Sequence, residues 1–475
     1  MRGYPRRLIL IIGIVVFVFF CTRLLVGRIV LPLADDEAPS SSSSTHGPQR
    51  LAEDLSALVA RAYVPGMYMR GEKPKNNTGC AWKYGLPNIF YYPVDKVRFT
   101  PQGGEDGPYR VLPFIIRSSE SELTPRLTFC THATPDLVYN IVEIVKRWEG
   151  PVSLAVFSPS RDAALAVRLL DRACRCVPEM RKVRFRFLLI FFIHYLLILL
   201  SFNQLSVHLI FPANRIPIIA SDDYLPEDGD CAALDLQWER LESVAERRDK
   251  GLTYPINVAR NIAKTLAMTT RVLVADIELL PSDKLASGFF KMINGQPPNK
   301  GLAFVVPVFE IEETQQPPKN KRELMAAINK DLAVYFHKYM CIHCQRFPGI
   351  TKWILRPDPG RVRPLIVTRR EYPHHRWEPV FIGTQDDPLY NENMTWEGRQ
   401  EKMSQMLEMC LMNYHLIILD GAFLVHTPGI KRKTYQLNPS KSTFERTQEV
   451  LNAQIYQSIT QNLLKQYPIN RKCRQ

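Results

Sequence analysis

Short apolar runs alternate with helical segments through the middle of this chain. Residues 127–130, 152–157 and 207–211 are apolar and short, as is typical of buried strands. Residues 135–148 and 161–174 place apolar side chains at helical spacing between them. A β-α-β-α-β order predicts an α/β fold, with a parallel sheet and right-handed crossover connections.

A further predicted helix, residues 257–268, leads into an apolar strand that is followed at once by Asp276-Ile277-Glu278. Ligands of open α/β sheets bind at the carboxyl ends of the strands, so this acidic pair is a candidate site. Carboxylates are suited to Mg²⁺ or Mn²⁺ that bridges a diphosphate. A solvated acidic turn after a core strand is the alternative interpretation. Beyond this point, the pattern predicts strands at 302–308 and 416–419 and helices at 402–414 and 444–464.

The charge balance limits the classes of partner. The 475 residues carry a net charge of +14, with lysine and arginine spread along the chain. This favours anionic substrates or a membrane surface. No zinc-finger spacing or RNA-binding aromatic motif occurs, so nucleic acid is not a predicted partner.

The amino-terminal region predicts a membrane anchor. Basic residues in the tail, 1–7, precede an apolar segment at 8–30 that is long enough for a transmembrane helix. Their position favours a cytoplasmic amino end and a single-pass type II topology. A cleaved signal peptide is the alternative. Residues 31–90 are predicted to form a stem and pre-domain region, and residues 91–475 the lumenal domain.

Two sequons and one apolar segment bear on this topology. Asn76 and Asn393 begin N-glycosylation sequons, which predicts a lumenal position for both. Residues 184–205 form an apolar stretch that interrupts the α/β pattern, and we interpret them as a foreign insertion. A second membrane span at this segment is the competing interpretation.

The pair Cys341 and Cys344 with His343 between them suggests part of a zinc site, but no second pair follows at the required spacing. A disulfide is therefore the favoured interpretation.

Six ordered sequence blocks resemble glycosyltransferase family 49, and within it the metazoan β-1,4-glucuronyltransferases and the second catalytic domain of the LARGE proteins. The resemblance covers about residues 128–467. The blocks are YPINVARN at 254–261, DIE at 276–278 with Pro281-Ser282, VVPVFE at 305–310, CxxCQ at 341–345, WEP at 377–379 and GAFLVH at 421–426.

The resemblance implies a GT-A-type, Rossmann-like domain in the Golgi lumen behind the membrane anchor. The reaction would be inverting transfer of glucuronic acid from UDP-glucuronate to a xylose-terminated O-glycan on a glycoprotein, in the protein O-mannosyl glycan pathway. Transfer from UDP-N-acetylglucosamine or UDP-xylose, or a catalytically silent Golgi scaffold, are the alternatives. A homodimer or a partner glycosyltransferase would fit such an enzyme.

The resemblance also implies a metal site made by Asp276, Glu278 and His426. Imidazole favours Mn²⁺ over Mg²⁺ as the ion, although Mg²⁺ remains compatible. The family pattern has Asp at the position of Glu278, whose longer side chain is compatible with a water-mediated metal contact.

Asn257 and Arg260 lie one helical turn apart and are predicted to contact the nucleotide or the sugar carboxylate together with Asp276. Local hydrogen bonds at a helix start are the alternative. Inversion also requires a base near the acceptor hydroxyl. The candidates are Glu378, Glu392 and Asp420, and Trp377 is expected to stack on a sugar ring.

Overall fold

The structure is a computed structural model that describes residues 80–84, 94–118, 126–190, 194–218, 246–432 and 442–473. All of them belong to one compact unit, residues 61–475. The predicted tail, the anchor at 8–30 and Asn76 lie outside the described residues. Within the described ranges, no helix combines the length and apolar character needed to cross a bilayer.

The elements follow one another in mixed order along the chain. The strands are β1 (Arg98–Phe99), β2 (Tyr109–Ile116), β3 (Leu127–Ala133), β4 (Val152–Phe157), β5 (Arg181–Ile190), β6 (His194–Asn203), β7 (Leu205–Pro212), β8 (Arg271–Val274), β9 (Leu279–Pro281), β10 (Leu302–Val305), β11 (Val308–Ile311), β12 (Ala333–Tyr335), β13 (Arg363–Thr368), β14 (Phe381–Thr384), β15 (His415–Asp420) and β16 (Leu424–His426). The helices are α1 (Ile141–Arg147), α2 (Asp162–Cys176), α3 (Glu246–Asp249), α4 (Ile256–Thr265), α5 (Leu285–Ile293), α6 (Lys321–Asn329), α7 (Ile342–Gln345), α8 (Ile350–Leu355), α9 (Met403–Leu411) and α10 (Thr443–Gln466), with 3₁₀ turns at Val94–Lys96, Pro135–Asn140 and Pro178–Met180.

A ten-stranded sheet, in the order β1-β2-β7-β4-β3-β8-β14-β10-β15-β13, forms the centre of the fold. β3, β4, β7 and β8 are mutually parallel where they pair, which confirms the predicted β-α-β-α-β arrangement. β14 pairs antiparallel with both β8 and β10, so the sheet is mixed. The mixed α/β architecture with one large sheet fits a glycosyltransferase domain.

Helices cover both faces of this sheet. Apolar residues of α1 and α2, including Val145 and Leu170, join one large core cluster on one side. Ile262 of α4 belongs to a second cluster with Val272 of β8 on the other side. Each such fully buried side chain stabilises the fold by about 1.5–3 kcal/mol. Burial on both faces holds the carboxyl ends of the central strands in fixed positions.

The register of two neighbouring strands positions the site. β3 and β8 pair in parallel with Cys130 opposite Val274. Two residues further along, this register brings His132 level with Asp276. A separate four-stranded sheet, β12-β11-β16-β9, carries His426 at the end of β16 opposite Leu279.

Two predicted elements differ in detail from the structure. The helix predicted at 135–148 begins as a 3₁₀ turn over Pro135–Asn140 and becomes α-helical only at Ile141. The strand predicted at 302–308 is divided at Pro307 into β10 and β11, which join different sheets. Proline lacks the N–H group that a central strand needs, which explains the division.

The segment suspected of being an insertion forms a hairpin. β5 and β6 pair antiparallel with each other in a two-stranded sheet of their own. β7, which begins at Leu205, then enters the ten-stranded sheet between β2 and β4. The main sheet is therefore built without the hairpin, and the foreign origin of 184–205 stays a prediction.

Disulfide bonds join distant parts of the described chain. Cys80 pairs with Cys174 of α2, and Cys410 of α9 pairs with Cys473 beyond α10. Cys341 and Cys344 are bonded to each other, which confirms the disulfide interpretation and excludes the zinc site there.

Candidate active site

Asp276 lies at the carboxyl end of β8 in a cluster of donors. Its Oδ1 is 3.0 Å from Arg260 Nη2 and 3.1 Å from His132 Nε2, and its Oδ2 is 3.7 Å from Lys402 Nζ. The Asp276 side chain is 29% exposed, whereas Arg260 is 1% exposed. The carboxylate therefore faces the surface of the site, and its cationic partner lies behind it.

The charges in this cluster fix the ionisation of Asp276. Burial on its own raises the pKa of a carboxyl group, but the charges of Lys402 and Arg260 outweigh burial here. Together with the His132 hydrogen bond, they hold the pKa of Asp276 well below its usual range. Asp276 is thus an anion at any pH at which the protein works.

His132 connects the carboxylate to a buried tyrosine. Its Nδ1 is 2.8 Å from the hydroxyl of Tyr254, and its Nε2 faces Asp276. Burial lowers the pKa of His132 despite the neighbouring carboxylate, so the ring is neutral. With Asp276 as an obligatory acceptor, Nε2 carries the proton and Nδ1 accepts from Tyr254.

Arg260 and Asn257 connect this cluster to the loop before α9. Arg260 Nη1 donates to Asn257 Oδ1 at 3.1 Å and lies 3.3 Å from Glu401 Oε1. Asn257 Nδ2 donates to the carbonyls of Asn391 and Glu401 at 2.8 and 2.9 Å. Asn257 is fully buried and its amide is fully used, which favours a positioning role for it over direct contact with a nucleotide.

Glu278 and His426 form a second pair beside the first cluster. His426 Nε2 is 3.8 Å from Glu278 Oε2, so the imidazole does reach the acidic segment, as the sequence blocks imply. The backbone supports this pairing, because the Thr427 N–H donates to the Glu278 carbonyl at 3.1 Å. His426 is 2% exposed, and within the described part of the chain neither of its ring nitrogens has a hydrogen-bond partner.

These contacts allow a test of the predicted metal site. The imidazole of His426, with Nε2 unbonded and close to the Glu278 carboxylate, suits a divalent cation. Asp276, by contrast, is already bound to Arg260 and His132. Among the residues that the structure describes, no group of three or more His, Cys, Asp and Glu side chains is arranged to hold a metal. Glu278 and His426 therefore fit the ion, and the three-residue ligand set stays a prediction.

Glu378 is held beside the cluster by main-chain contacts. Its N–H donates to the carbonyl of Cys344, within the turn that the Cys341–Cys344 disulfide closes, at 2.9 Å. The preceding carbonyl, that of Trp377, accepts from Arg370 Nε at 2.7 Å. The main chain at Glu378 is thus hydrogen-bonded to a disulfide-closed turn, which defines its position.

Glu378 has the electrostatic character of a general base. Burial, and then the negative charge of Glu401, raise the pKa of Glu378 to about 7. The positive charges of Lys402 and Arg260 act in the opposite direction. A carboxylate with a pKa near neutrality can accept a proton from a hydroxyl group more readily than an ordinary glutamate can.

The other two base candidates are engaged elsewhere. Glu392 accepts from the N–H groups of Gln102 and Gly103, both at 3.1 Å, and from Asn261 Nδ2 at 3.0 Å. Asp420 is completely buried and lies 2.7 Å from Lys321 Nζ and 3.1 Å from Arg363 Nη2. These contacts favour structural roles for Glu392 and Asp420, because no acceptor hydroxyl can approach them without displacing their partners.

Two further sequence expectations concern surface features. Asn393 is exposed, as a glycosylated asparagine must be. Trp377 is 1% exposed and packs in the second core cluster. The expectation that Trp377 stacks on a sugar ring is therefore wrong, because its ring is not accessible.

Sequence reasoning missed His132, Lys402 and Glu401 as members of the site. His132 lies in β3 two residues beyond the strand predicted at 127–130, so the parallel register of β3 and β8 is the signal that could have found it. Lys402 and Glu401 stand just before α9, and nothing local distinguishes them from surface charges. Tyr254 opens the first sequence block but was not singled out.

Comparisons with known proteins agree with this architecture. Residues 126–468 match the family described as "Glycosyl-transferase for dystroglycan". This match confirms the family resemblance drawn from the ordered sequence blocks.

Individual relatives extend the match. The chain is 26% identical over 378 residues to human beta-1,4-glucuronyltransferase 1, covering 77% of this chain and 82% of the relative. The zebrafish protein of the same name is 25% identical over 389 residues, which again cover 77% of this chain and 82% of the relative. A shorter match, 27% identical over 187 residues, links 38% of this chain to 23% of the chicken xylosyl- and glucuronyltransferase LARGE2s.

Proposed function

Because this chain belongs to the family described as "Glycosyl-transferase for dystroglycan" and is therefore a glycosyltransferase, we propose that it transfers glucuronic acid from UDP-glucuronate to a xylose-terminated O-glycan. The domain would be of the GT-A type, and transfer would invert the anomeric carbon. This donor is supported by relatives that are named glucuronyltransferase and that match the chain over most of their length.

The observation that carries the proposal is the juxtaposition of two kinds of group at the carboxyl end of β8. Arg260 and Lys402 supply positive charge around Asp276. Burial and the charge of Glu401 raise the pKa of Glu378 to about 7, although the same two cations act in the opposite direction. Inverting transfer from a nucleotide sugar requires two things of the site. Positive charge binds the anionic donor, and a base accepts the proton of the incoming hydroxyl group.

Each residue has a distinct part in the proposed reaction. Lys402, which is 15% exposed, faces the donor, where its charge attracts the diphosphate or the sugar carboxylate. Arg260 and His132 hold Asp276 in place from behind. Glu378 orients the acceptor hydroxyl and removes its proton as that oxygen attacks the anomeric carbon.

A divalent cation would be held by Glu278 and His426, with Asp276 as the neighbouring carboxylate. When bound, the ion supplies Lewis-acid stabilisation of the charge on the departing diphosphate. We propose Mn²⁺, because an imidazole ligand favours it over Mg²⁺.

A donor screen tests the proposed substrate. The purified chain is given methyl β-xyloside as acceptor and UDP-glucuronate, UDP-N-acetylglucosamine or UDP-xylose in turn, and UDP release and product mass are measured. We expect a clear preference for UDP-glucuronate. If either of the other donors is preferred, the proposed donor is wrong, whereas the assignment as a glycosyltransferase is unaffected.

The metal part of the proposal predicts a selective effect of His426→Ala. Removing the imidazole should weaken Mn²⁺ binding by at least about 10–100-fold, as the loss of metal-site contacts usually does. Manganese titration followed by electron paramagnetic resonance measures this without any turnover. His343→Ala is the matched control, because that histidine is exposed on the surface. Equal Mn²⁺ affinity in the two variants would exclude His426 as a ligand.

We propose a Golgi location with the catalytic domain in the lumen and a type II anchor at 8–30. The exposed Asn393 and the disulfide bonds are compatible with a lumenal, oxidising compartment.

A further inference from the structure

Glu310 is a buried carboxylate that the proposed reaction leaves without a role. It ends the sequence block VVPVFE, lies on β11 and is 0% exposed. Among the residues that the structure describes, neither of its carboxylate oxygens has a hydrogen-bond partner of normal geometry. Burying a carboxylate is costly unless another group compensates it, so a partner for Glu310 is expected.

Glu310 and His426 occupy matching positions on neighbouring strands. β11 and β16 run parallel, with Glu310 opposite His426. Residues opposite each other in a sheet project to the same face, and neighbouring strands lie about 4.7–4.9 Å apart. The imidazole of His426 is also buried, and in the described ranges both of its nitrogens lack hydrogen-bond partners. Two buried polar side chains without partners thus start from adjacent points on one face of the sheet.

The electrostatic environment of Glu310 indicates that its carboxyl group lies close to the imidazole. Burial raises the pKa of Glu310, whereas the N–H group of His337 and then the charge of His426 lower it. The charge and the main-chain N–H of Lys431 act in the same direction as His426. The groups that face Glu310 are therefore one imidazole, one ammonium group and two main-chain N–H groups.

The other contacts of His426 define which of its nitrogens is available. Nε2 lies 3.8 Å from Glu278 Oε2, on the side where the cation is proposed to bind. The ring of Phe336 packs on the imidazole with a distance of 5.2 Å between centroids, and it carries no oxygen or nitrogen acceptor. Nδ1 is therefore the nitrogen that remains for a carboxylate, and the strand register puts Glu310 beside it.

The chemistry of metal sites gives such a carboxylate a defined role. An imidazole must be neutral to bind a metal ion, so one ring nitrogen faces the ion and the other carries the proton. A metal-binding histidine usually donates that N–H to a carboxylate or a carbonyl group. This contact fixes both the tautomer and the orientation of the ring.

We propose that Glu310 is a positioning residue for His426, whose carboxylate accepts the Nδ1–H of the imidazole and so directs Nε2 toward a divalent cation beside Glu278. This inference rests on the metal part of the proposed function and adds one residue to it. Glu310 contacts neither the nucleotide sugar nor the ion, and Glu278 and His426 remain the ligands.

Manganese titration of the full chain, followed by electron paramagnetic resonance, tests the inference without turnover. Glu310→Leu removes the acceptor and should weaken Mn²⁺ binding by about 10–100-fold. Glu310→Gln keeps an oxygen that can accept the Nδ1–H, so its loss of affinity should be smaller. The controls are Glu312→Leu and Glu312→Gln, because Glu312 lies two residues further along the chain and is paired with Arg432. Equal Mn²⁺ affinity in Glu310→Leu and Glu312→Leu would overturn the inference.

Electron spin echo envelope modulation reports the imidazole directly, through the coupling of its ¹⁴N nucleus to bound Mn²⁺. At saturating Mn²⁺, we expect this coupling in the unchanged chain and in Glu310→Gln. In Glu310→Leu it should be lost or much weaker, because the ring is no longer held toward the ion. A coupling of full strength in Glu310→Leu would show that His426 binds the ion without help from Glu310.

Unfolding in urea separates this role from a purely structural one. If Glu310 served only to bind the N–H groups of His337 and Lys431, Glu310→Leu would lower the urea midpoint of the metal-free chain and leave Mn²⁺ affinity unchanged. That pair of results would overturn the inference. We expect the metal-free midpoint not to fall, because leucine places apolar volume where a buried charge stood.

The variant His426→Ala separates the inference from the proposed function. If His426→Ala loses Mn²⁺ affinity and Glu310→Leu keeps it, the positioning role fails and the proposed metal site stands. If neither variant changes Mn²⁺ affinity, the proposed metal site fails and the positioning role fails with it. The donor screen tests glucuronate transfer independently of both results.

Discussion

Glu378→Gln should lower kcat by about 10²–10⁴-fold while the affinity for UDP stays close to that of the unchanged chain. The amide keeps the size and position of the side chain, because the Cys344 carbonyl still holds the main-chain N–H. It cannot accept a proton from the acceptor hydroxyl. Steady-state kinetics and calorimetric titration with UDP and Mn²⁺ measure the two quantities separately.

Glu392→Gln is the comparison that makes this result specific. Glu392 accepts three hydrogen bonds from fixed donors, so its substitution should mainly reduce stability, by about 1.5–3 kcal/mol. Its kcat should stay within a few-fold of the starting value. Equal activity in Glu378→Gln and Glu392→Gln would remove both residues as the base.

The pH dependence follows from the same carboxyl group. Only the ionised form of Glu378 accepts a proton, so kcat/KM should be lost as the pH falls through about 7 and should be level above it. The Glu401 carboxylate raises the pKa of Glu378 after burial does, whereas Lys402, Arg260 and Arg370 lower it. Glu401→Gln should therefore shift the profile to lower pH, and the residual activity of Glu378→Gln should lack this step. A profile unaffected by Glu378→Gln would assign the step to another group.

Arg260→Met should reduce the free energy of unfolding by about 3–5 kcal/mol, the largest stability effect we expect from a single charged residue at the site. Arg260 is 1% exposed and lies within 3.3 Å of carboxylate oxygens of both Asp276 and Glu401. Methionine keeps much of the apolar volume but leaves these two carboxylates facing each other without a buried cation. Urea denaturation measures the change.

The exposed pair of Arg432 and Glu312 supplies the control for Arg260. Arg432 is 50% exposed, so Arg432→Met should cost no more than about 1 kcal/mol. The double variant Arg260→Met with Asp276→Asn should recover part of the loss, since it removes one of the stranded charges. If Arg260→Met and Arg432→Met have the same stability, Lys402 alone is sufficient to balance the cluster.

Several features of the fold could be predicted from local sequence. β4 spans the residues that the apolar run indicates, and β3, β7 and β8 lie where strands were expected. Alternating strands and helices also predicted the parallel pairing, because crossover connections allow little else. The apolar pattern did not show that the strand predicted at 302–308 is divided, although Pro307 lies at the division between β10 and β11.

What the sequence determined by itself is the central strands β3, β4, β7 and β8, the helices α1, α2 and α4 beside them, and the placing of Asp276 at a strand end, since periodicity and chain connectivity are local properties. The tertiary structure alone decided which charges meet there. Strand register placed His132 beside Asp276, and the loop before α9 brought Lys402 and Glu401 to it from far along the chain. The choice among Glu378, Glu392 and Asp420 depended in the same way on burial and on partners distant in sequence, because the pKa of a carboxyl group is set by the charges and solvent that surround it in space.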